Sequence, residues 1–163
     1  MSHYKKLESK IFSISVLKNH VINWKQEEQK IVFTNGCFDI VHRGHIQVLA
    51  NMADLGEKLI IGLNSDSSIK KIKGKSRPII DENSRALLLA SLSFVDAVVL
   101  FSEKNPINLI KSLVPDILAK GGDYNISTTV GHKVVQDNGG KVVMVPFING
   151  FSSTNIINKI KNH

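Results

Sequence analysis

The sequence predicts an α/β fold, a Rossmann-like, doubly wound sheet of five parallel strands with helices on both faces. Short runs rich in valine, isoleucine and leucine alternate with segments of helical periodicity, a pattern typical of parallel sheets buried on both sides. Right-handed crossovers between such strands place helices on both faces. In addition, each polar or glycine-rich loop with a candidate site residue follows a predicted strand, at the edge where doubly wound sheets bind ligands.

The predicted elements begin after an N-terminal segment. Strands are expected at about 30–34, 58–64, 97–101, 116–120 and 141–145, and helices at about 44–55, 83–94, 106–113, 127–138 and 153–161. We expect residues 1–29 to form a helical extension, because Ile11, Ile14, Leu17, Val21 and Trp24 recur at helical spacing. That apolar stripe would pack on the main domain, residues 30–163, or on a second copy in a homodimer.

Composition narrows the class of ligand. The chain has 163 residues and a net charge of +7, which favours anionic partners such as nucleic acid, an anionic surface or phosphorylated small molecules. Aromatic residues make up only 6%, which argues against nucleic-acid binding. A single cysteine excludes an internal disulfide. Without an apolar run of membrane-spanning length or a secretory signal, the expected location is the cytoplasm, with no membrane partner.

The first candidate site lies where the strand at 30–34 meets the following helix. Gly36 permits a sharp turn and close approach to a ligand. Gly44 separates His42 from His45 at a helix N-terminus, where free N–H groups favour anions. This arrangement predicts a phosphate-binding site. The alternatives are ordinary surface histidines or half of a zinc site, although no other close-spaced histidine and cysteine cluster is present. Cys37 is interpreted as a small packed residue.

Later loops carry further cations. A lysine-rich run at 70–78 follows the second strand, and it is interpreted either as a solvated loop or as a source of phosphate ligands. Arg85 falls in the first helical turn, where a cation opposes the helix dipole unless an anion is near. Lys120 ends an apolar strand, so it either meets an anion or extends its amine to solvent. Ser152, Ser153 or Thr154 can cap the last helix and also bind phosphate.

These motifs resemble a known family. The strings Gly36-Cys37-Phe38-Asp39 and His42-Arg43-Gly44-His45 resemble the first signature of the cytidylyltransferase-like nucleotidyltransferases. The stretch 64–78 resembles the branch that acts on sugar 1-phosphates. The string Lys120-Gly121-Gly122-Asp123-Tyr124 resembles the heptose 1-phosphate adenylyltransferase branch, and Ser152-Ser153-Thr154 resembles the closing signature.

The resemblance implies a role for each residue. The implied catalytic residues are His42, His45, Arg85 and Lys120. The implied ATP-binding residues are Asn35, Gly36, Cys37, Phe38, Gly44, Lys73, Arg77, Gly150, Ser152, Ser153 and Thr154. The implied sugar-phosphate residues are Asp39, Asn64, Asp66, Gly121, Gly122, Asp123 and Tyr124. Mg²⁺ is expected to be bound through the phosphates and not by direct protein ligands.

The implied reaction transfers AMP from ATP to a sugar 1-phosphate, with a separate kinase supplying that acceptor. Relatives that use CTP on glycerol 3-phosphate carry an Arg-Thr-Glu-Gly run where this chain has Phe147-Ile148-Asn149-Gly150, a difference that favours ATP. Two alternatives stay open: a cytidylyltransferase acting on glycerol 3-phosphate or another phosphate ester, and a non-catalytic module that binds nucleotides or nucleic acid.

Overall fold

The computed structural model describes residues 1–122, 125–147 and 150–162. The strands are β1 (Ile11–Phe12), β2 (Ile31–Gly36), β3 (Lys58–Asn64), β4 (Ala97–Phe101), β5 (Ile117–Gly121) and β6 (Lys141–Val145). The α-helices are α1 (His3–Glu8), α2 (Ile14–Gln26), α3 (Arg43–Ala53), α4 (Asp66–Lys73), α5 (Glu82–Ala90), α6 (Ile107–Leu113), α7 (His132–Asp137) and α8 (Ser153–Lys161). A 3₁₀ helix covers Ile126–Thr128.

The strands form one parallel sheet in the spatial order β1-β4-β3-β2-β5-β6. The predicted doubly wound α/β fold is confirmed, with one strand more than the five expected. The extra strand, β1, comes from the N-terminal segment and pairs with β4. The sequence did not reveal it because two residues are too few to show a period of two.

Both faces of the sheet are apolar because alternate residues of each strand point to opposite sides. Val32 packs with Leu49 of α3 and Leu89 of α5 on one face. Ile31 and Phe33 pack on the other face, in the cluster that α2, α6 and α7 complete. Fully burying a side chain of this kind stabilises the fold by about 1.5–3 kcal/mol. Strands β2 to β6 therefore have helices on both sides.

Helix α2 fixes the N-terminal segment to the sheet. Leu17 and Val21 are buried in the core, whereas Ile14 is exposed. The apolar stripe therefore packs on the main sheet. The contact with a second copy stays a prediction, and so does the division of the chain into an extension (1–29) and a nucleotidyltransferase domain (30–163). In the part of the chain that the structure describes, we find no helix with the length and apolar character needed to cross a bilayer.

The strand order places the switch point between β2 and β5. From β2 the chain continues to β3 and β4 on one side, and it later returns to β5 and β6 on the other. The pairs Val32–Ile117 and Phe33–Leu118 set the register there. The carboxyl ends of β2 and β5 consequently lie side by side, where open α/β sheets form a ligand crevice.

The lysine-rich run after β3 is a helix for part of its length, contrary to the interpretation as a loop. Helix α4 begins after Ser65, whose side chain accepts a hydrogen bond from the Ser68 backbone N–H. Ile69 is its fully buried anchor. A single apolar anchor among lysines gives too weak a period to identify a helix from sequence.

Candidate active site

A cleft of about 900 Å³ opens at the carboxyl edge of the sheet. Its volume is in the range of clefts that enclose small-molecule ligands. The predicted site residues that line it are Asn35, Gly36, Cys37, Phe38, Asp39, His42, Gly44, His45, Lys73, Arg77, Lys120, Gly121, Gly150, Ser152, Ser153 and Thr154. Segments that are far apart in sequence thus meet in one cleft, as the motif positions predicted.

The two imidazoles stand together at the start of α3. Their ring centroids are 3.9 Å apart, and the His42 backbone N–H donates a 3.4 Å hydrogen bond to Nδ1 of His45. Because Nδ1 of His45 accepts, the proton of the neutral ring is assigned to Nε2, which can donate to a phosphate oxygen. Burial, with smaller contributions from His42 and Lys73, lowers the pKa of His45 to about 4. Burial also lowers the pKa of His42, so both rings are neutral donors near pH 7.

Gly44 allows the last loop to approach α3. A Cβ atom at this position would lie 2.9 Å from Cβ of Phe151 and 3.1 Å from the His42 ring. Such distances require the neighbouring groups to move. Because glycine has no side chain, the loop before α8 can lie against the N-terminus of α3, where backbone N–H groups attract anions.

Lys120 lies at the end of β5 and reaches across to β2. Its Nζ donates a hydrogen bond to Oδ1 of Asn35. Burial lowers the pKa of Lys120 to about 8, since a partly desolvated ammonium loses hydration that a neutral amide restores only in part. The amine lies in the cleft with a neutral partner, which suits it to bind an anionic group.

Asp39 and Arg77 form an ion pair in the cleft. Nε of Arg77 lies 2.5 Å from Oδ2 of Asp39. The other carboxylate oxygen, Oδ1, accepts hydrogen bonds from the backbone N–H groups of Ile79 and Ile80 at 2.8 and 2.9 Å. Asp39 thus holds Arg77 and the loop after α4 at the rim of the cleft. The prediction that it also binds the sugar phosphate stays a prediction.

Arg85 does not reach the cleft, contrary to the role that the resemblance implied. Its side chain is fully buried. Nη1 donates to the carbonyls of Cys37 and Asn64 at 2.6 and 2.9 Å, and Nη2 lies 2.6 Å from Oδ1 of Asp66. Nε donates to the Ile80 carbonyl at 2.9 Å. The anion expected near this cation is therefore Asp66, and the guanidinium also holds the turn after β2 through the Cys37 carbonyl.

Three other predicted sugar-phosphate residues lie outside the cleft lining. Asn64 is buried, and its Nδ2 donates a 3.0 Å hydrogen bond to Oγ of Ser68. Asp66 is the partner of Arg85. Gly122 has a φ of +103° and donates its N–H to the Val145 carbonyl at 2.8 Å, so it turns the chain after β5. Asp123 and Tyr124 lie outside the described residues.

The loop before α8 brings hydroxyl groups to the cleft. Gly150 has a φ of +92°, a conformation that favours glycine. Ser152 is the residue that precedes the first turn of α8, and Oγ of Ser153 donates a 3.0 Å hydrogen bond to the Ile40 carbonyl. The N-terminus of α8 therefore lies beside that of α3, and two helix ends face the same space.

Sequence reasoning missed cleft residues from two loops. Lys104 and Asn105 follow β4, and Thr128 and Thr129 lie at the end of the 3₁₀ helix that follows β5. None of these residues belongs to a recognised motif. Only their position after strands of a doubly wound sheet could have identified them as cleft residues. Lys104 adds a cation to Lys73, Arg77 and Lys120. Since Asp39 is the sole carboxylate among the described lining residues, the cleft is strongly cationic.

Comparisons with known proteins agree with this site. Residues 33–159 match the model of the cytidylyltransferase-like family. The chain is 45% identical over 152 residues to the bifunctional protein HldE of Koribacter versatilis, covering 93% of this chain and 31% of that protein. It is 46% identical over 153 residues to HldE of Citrifermentans bemidjiense, covering 94% and 31%. The chain thus spans about a third of the length of these relatives.

Solved structures show the same architecture. A lipopolysaccharide core biosynthesis protein from Thermoplasma volcanium is 31% identical, with a TM-score of 0.60 over 74% of this chain and 97% of that chain. A pantoate-beta-alanine ligase from Francisella tularensis has a TM-score of 0.62 at 17% identity, covering 94% of this chain and 78% of that chain, a likeness of fold alone. The family match runs from β2 to α8 and includes both the imidazole pair and the serine-rich turn, and the chain therefore belongs to the cytidylyltransferase-like family of nucleotidyltransferases.

Proposed function

We propose that this chain transfers AMP from ATP to a sugar 1-phosphate, with heptose 1-phosphate as the acceptor, and releases pyrophosphate. The observation that carries the proposal is that one cleft, at the switch point, is lined by two neutral imidazoles, by the N-termini of α3 and α8, and by Lys120. The similarity to HldE proteins and to a lipopolysaccharide core biosynthesis protein supports a sugar acceptor.

The proposed chemistry is an in-line displacement at phosphorus. An oxygen of the sugar 1-phosphate attacks the α-phosphorus of ATP, a new P–O bond forms, and the bond to the β-phosphate bridge oxygen breaks. The attacking phosphate is already ionised, so the reaction needs no strong base. Catalysis then depends on placing the two phosphates and on stabilising the charge of the transition state and of the leaving pyrophosphate.

Each group has a place in this scheme. His42 and His45 donate hydrogen bonds to oxygens of the triphosphate, and Lys120 binds the incoming phosphate. The N-terminus of α8, with the hydroxyls of Ser152–Thr154, binds the β- and γ-phosphates. Lys73 adds positive charge, and Arg77, whose Nε pairs with Asp39, offers its other guanidinium N–H groups to phosphate oxygens. Arg85 does not line the cleft, and it acts through the groups that it holds in place, among them the Cys37 carbonyl.

Mg²⁺ enters this scheme as part of the substrate MgATP. The described residues hold no cluster of histidine, cysteine, aspartate or glutamate able to bind a metal. The carboxylate of Asp39 accepts hydrogen bonds from Arg77 and from two backbone amides. Oxygen ligands for Mg²⁺ would come from the phosphates and water, as this ion prefers. Its contribution is to neutralise phosphate charge.

The donor base and the acceptor source complete the proposal. Phe147 lines the cleft and is 61% exposed, so its ring is available to the base of ATP. Ile148 and Asn149, which complete the departure from the CTP-type run, lie outside the described residues. The proposal includes a separate kinase that supplies the sugar 1-phosphate and a cytoplasmic location for the transfer.

A pyrophosphate-release assay tests the proposal. Each of ATP, CTP, GTP and UTP is paired with heptose 1-phosphate, glucose 1-phosphate and glycerol 3-phosphate in the presence of Mg²⁺. We expect the highest kcat/KM with ATP and heptose 1-phosphate, by about tenfold or more, since one lost polar contact is worth about that factor. Faster release with CTP and glycerol 3-phosphate would identify a cytidylyltransferase. No release with any pair would indicate a binding module.

A further inference from the structure

The two imidazoles are fixed in different ways. Nδ1 of His45 accepts a hydrogen bond from the His42 backbone, which sets the orientation of the His45 ring. The His42 side chain faces the backbone N–H of His45 across the first turn of α3, as in a capping box. Its Nδ1 is nevertheless buried, and within residues 1–122, 125–147 and 150–162 no donor lies in hydrogen-bonding geometry with it. Without such a bond, the orientation of the His42 ring depends on what packs against its faces.

Two aromatic rings lie next to His42. One is His45, with a centroid separation of 3.9 Å and an interplanar angle of 30°. The other aromatic neighbour is Phe151, stacked at 6.1 Å and 25°. The guanidinium carbon of Arg43 lies 5.7 Å from the Phe151 centroid, which fixes the phenyl ring in turn. Gly44 supplies the space, because a Cβ there would contact both Phe151 and His42.

Phe151 also connects this packing to the phosphate-binding turn. It directly precedes Ser152, and the neighbouring Ser153 hydroxyl donates to the Ile40 carbonyl just before α3. The loop before α8 therefore contacts the start of α3 twice, once through a ring and once through a hydroxyl. A correct position of the loop and a correct orientation of His42 depend on the same contact.

We propose that Phe151 is the positioning residue for His42: its ring stacks on the imidazole, holds it in the orientation that meets the triphosphate, and couples that orientation to the closing loop. The inference rests on the proposed function for its catalytic consequence, but the ring-on-ring contact is independent of it. The titratable or charged groups beside this packing are His45, which contacts His42, Arg43, which lies over the Phe151 ring, and Lys73 on α4, which faces His45. Replacing Phe151 removes none of these groups, although it takes away the ring over which Arg43 lies.

The test compares Phe151→Leu with Phe151→Tyr. Leucine keeps an apolar side chain but removes the flat ring, whereas tyrosine keeps the ring. Nuclear magnetic resonance titration of His42 in the apo protein is the first readout. We expect its pKa to rise toward the ordinary value in Phe151→Leu, because solvent reaches the ring, and to stay near the wild-type value in Phe151→Tyr. Phe147→Leu, a ring on the same cleft that does not stack on an imidazole, is the control for this pKa.

Kinetics provide the second readout. In Phe151→Leu we expect kcat to fall about tenfold with KM for the sugar phosphate within about twofold, because a misaligned donor weakens the transition state more than acceptor binding. Phe151→Tyr should restore most of kcat. An unchanged pKa of His42 in a folded Phe151→Leu protein would overturn the inference, as would failure of tyrosine to restore it. If the wild-type protein shows no transferase activity, the proposed function fails while the titration still decides this inference.

Discussion

The ammonium of Lys120 donates a hydrogen bond to Oδ1 of Asn35 and thereby joins the carboxyl ends of β5 and β2. The partner is neutral, and burial alone lowers the pKa of Lys120 to about 8. A positive charge held this way lacks a counter-charge until an anion arrives. The switch point of the sheet is therefore prepared to bind a phosphate and to retain the ammonium form once it is bound.

Replacement of Lys120 by methionine should separate function from stability. In Lys120→Met we expect kcat/KM for the sugar phosphate to fall by about a hundredfold to a thousandfold, the usual effect of losing one charged donor at a reacting phosphate. The midpoint of urea unfolding should not decrease, because methionine removes a desolvated charge and fills similar space. Steady-state kinetics and urea titration measure the two effects.

Lys111→Met is the matched control, since Lys111 is exposed on α6 and does not line the cleft. It should leave both quantities at the wild-type level. Normal kcat/KM in a folded Lys120→Met protein would remove Lys120 from the proposed mechanism.

The pH dependence of kcat/KM should report the ionisation of Lys120. In the free enzyme Lys120 loses its charge as the pH rises through about 8, so kcat/KM should decline above that pH. This profile reports the free enzyme, whereas kcat should decline at higher pH because bound phosphate favours the ammonium form. The alkaline decline should disappear in Lys120→Met. Its persistence with the same midpoint would assign it to another group.

Arg85 should behave as a structural cation and not as a phosphate ligand. In Arg85→Leu we expect the free energy of unfolding to fall by about 3–5 kcal/mol, because Asp66 and the carbonyls of Cys37 and Asn64 lose their donor. Urea unfolding measures this loss.

Two further variants sharpen this prediction. Arg85→Leu combined with Asp66→Asn should recover part of the loss, since the unpaired carboxylate is then removed. Lys133→Leu, at an exposed cation on α7, should change stability by less than about 0.5 kcal/mol. A stable Arg85→Leu protein that has lost only ATP binding would contradict the structural role.

Periodicity and topology rules were enough to predict most of the fold. Strands β3, β4 and β6 begin and end where the apolar runs predicted. Parallel strands that are buried on both faces consist of nearly continuous apolar residues, so their ends are visible in the sequence. Strand β1 and helix α4 were missed for the opposite reason. One is two residues long, and the other buries chiefly Ile69 among lysines.

The candidate site was predicted less completely, since sequence order does not show which partner a charged side chain takes. His42, His45 and Lys120 meet in the cleft as the motifs predicted. Arg85 and Asp39 were also expected to bind ligands, yet each is bound by protein groups that are distant in the chain. Such pairing arises from tertiary contacts between loops, and no local pattern reveals it.

His45 should carry much of the catalytic charge stabilisation. His45→Ala removes one neutral donor, and we expect kcat to fall by about a hundredfold to a thousandfold while the fold persists. The far-ultraviolet circular dichroism spectrum and the urea midpoint near pH 7 should stay close to wild type, because α3 keeps its buried Val48, Leu49 and Met52. Wild-type turnover in the folded variant would exclude the imidazole from the mechanism.

The depressed pKa of His45 should also make the protein sensitive to acid. In the folded state this pKa is about 4, below the ordinary value of 6.5 that an unfolded chain restores, so the unfolded state takes up the proton first. The free energy of unfolding should therefore decline as the pH falls from about 6.5 toward 4, and be fully retained above that window. Urea titrations at pH 7.0 and 4.5 should show a smaller decline in His45→Gln than in wild type, whereas Gln47→Ala, exposed on the same helix, should match wild type. Equal declines in all three proteins would mean that other groups cause the acid sensitivity.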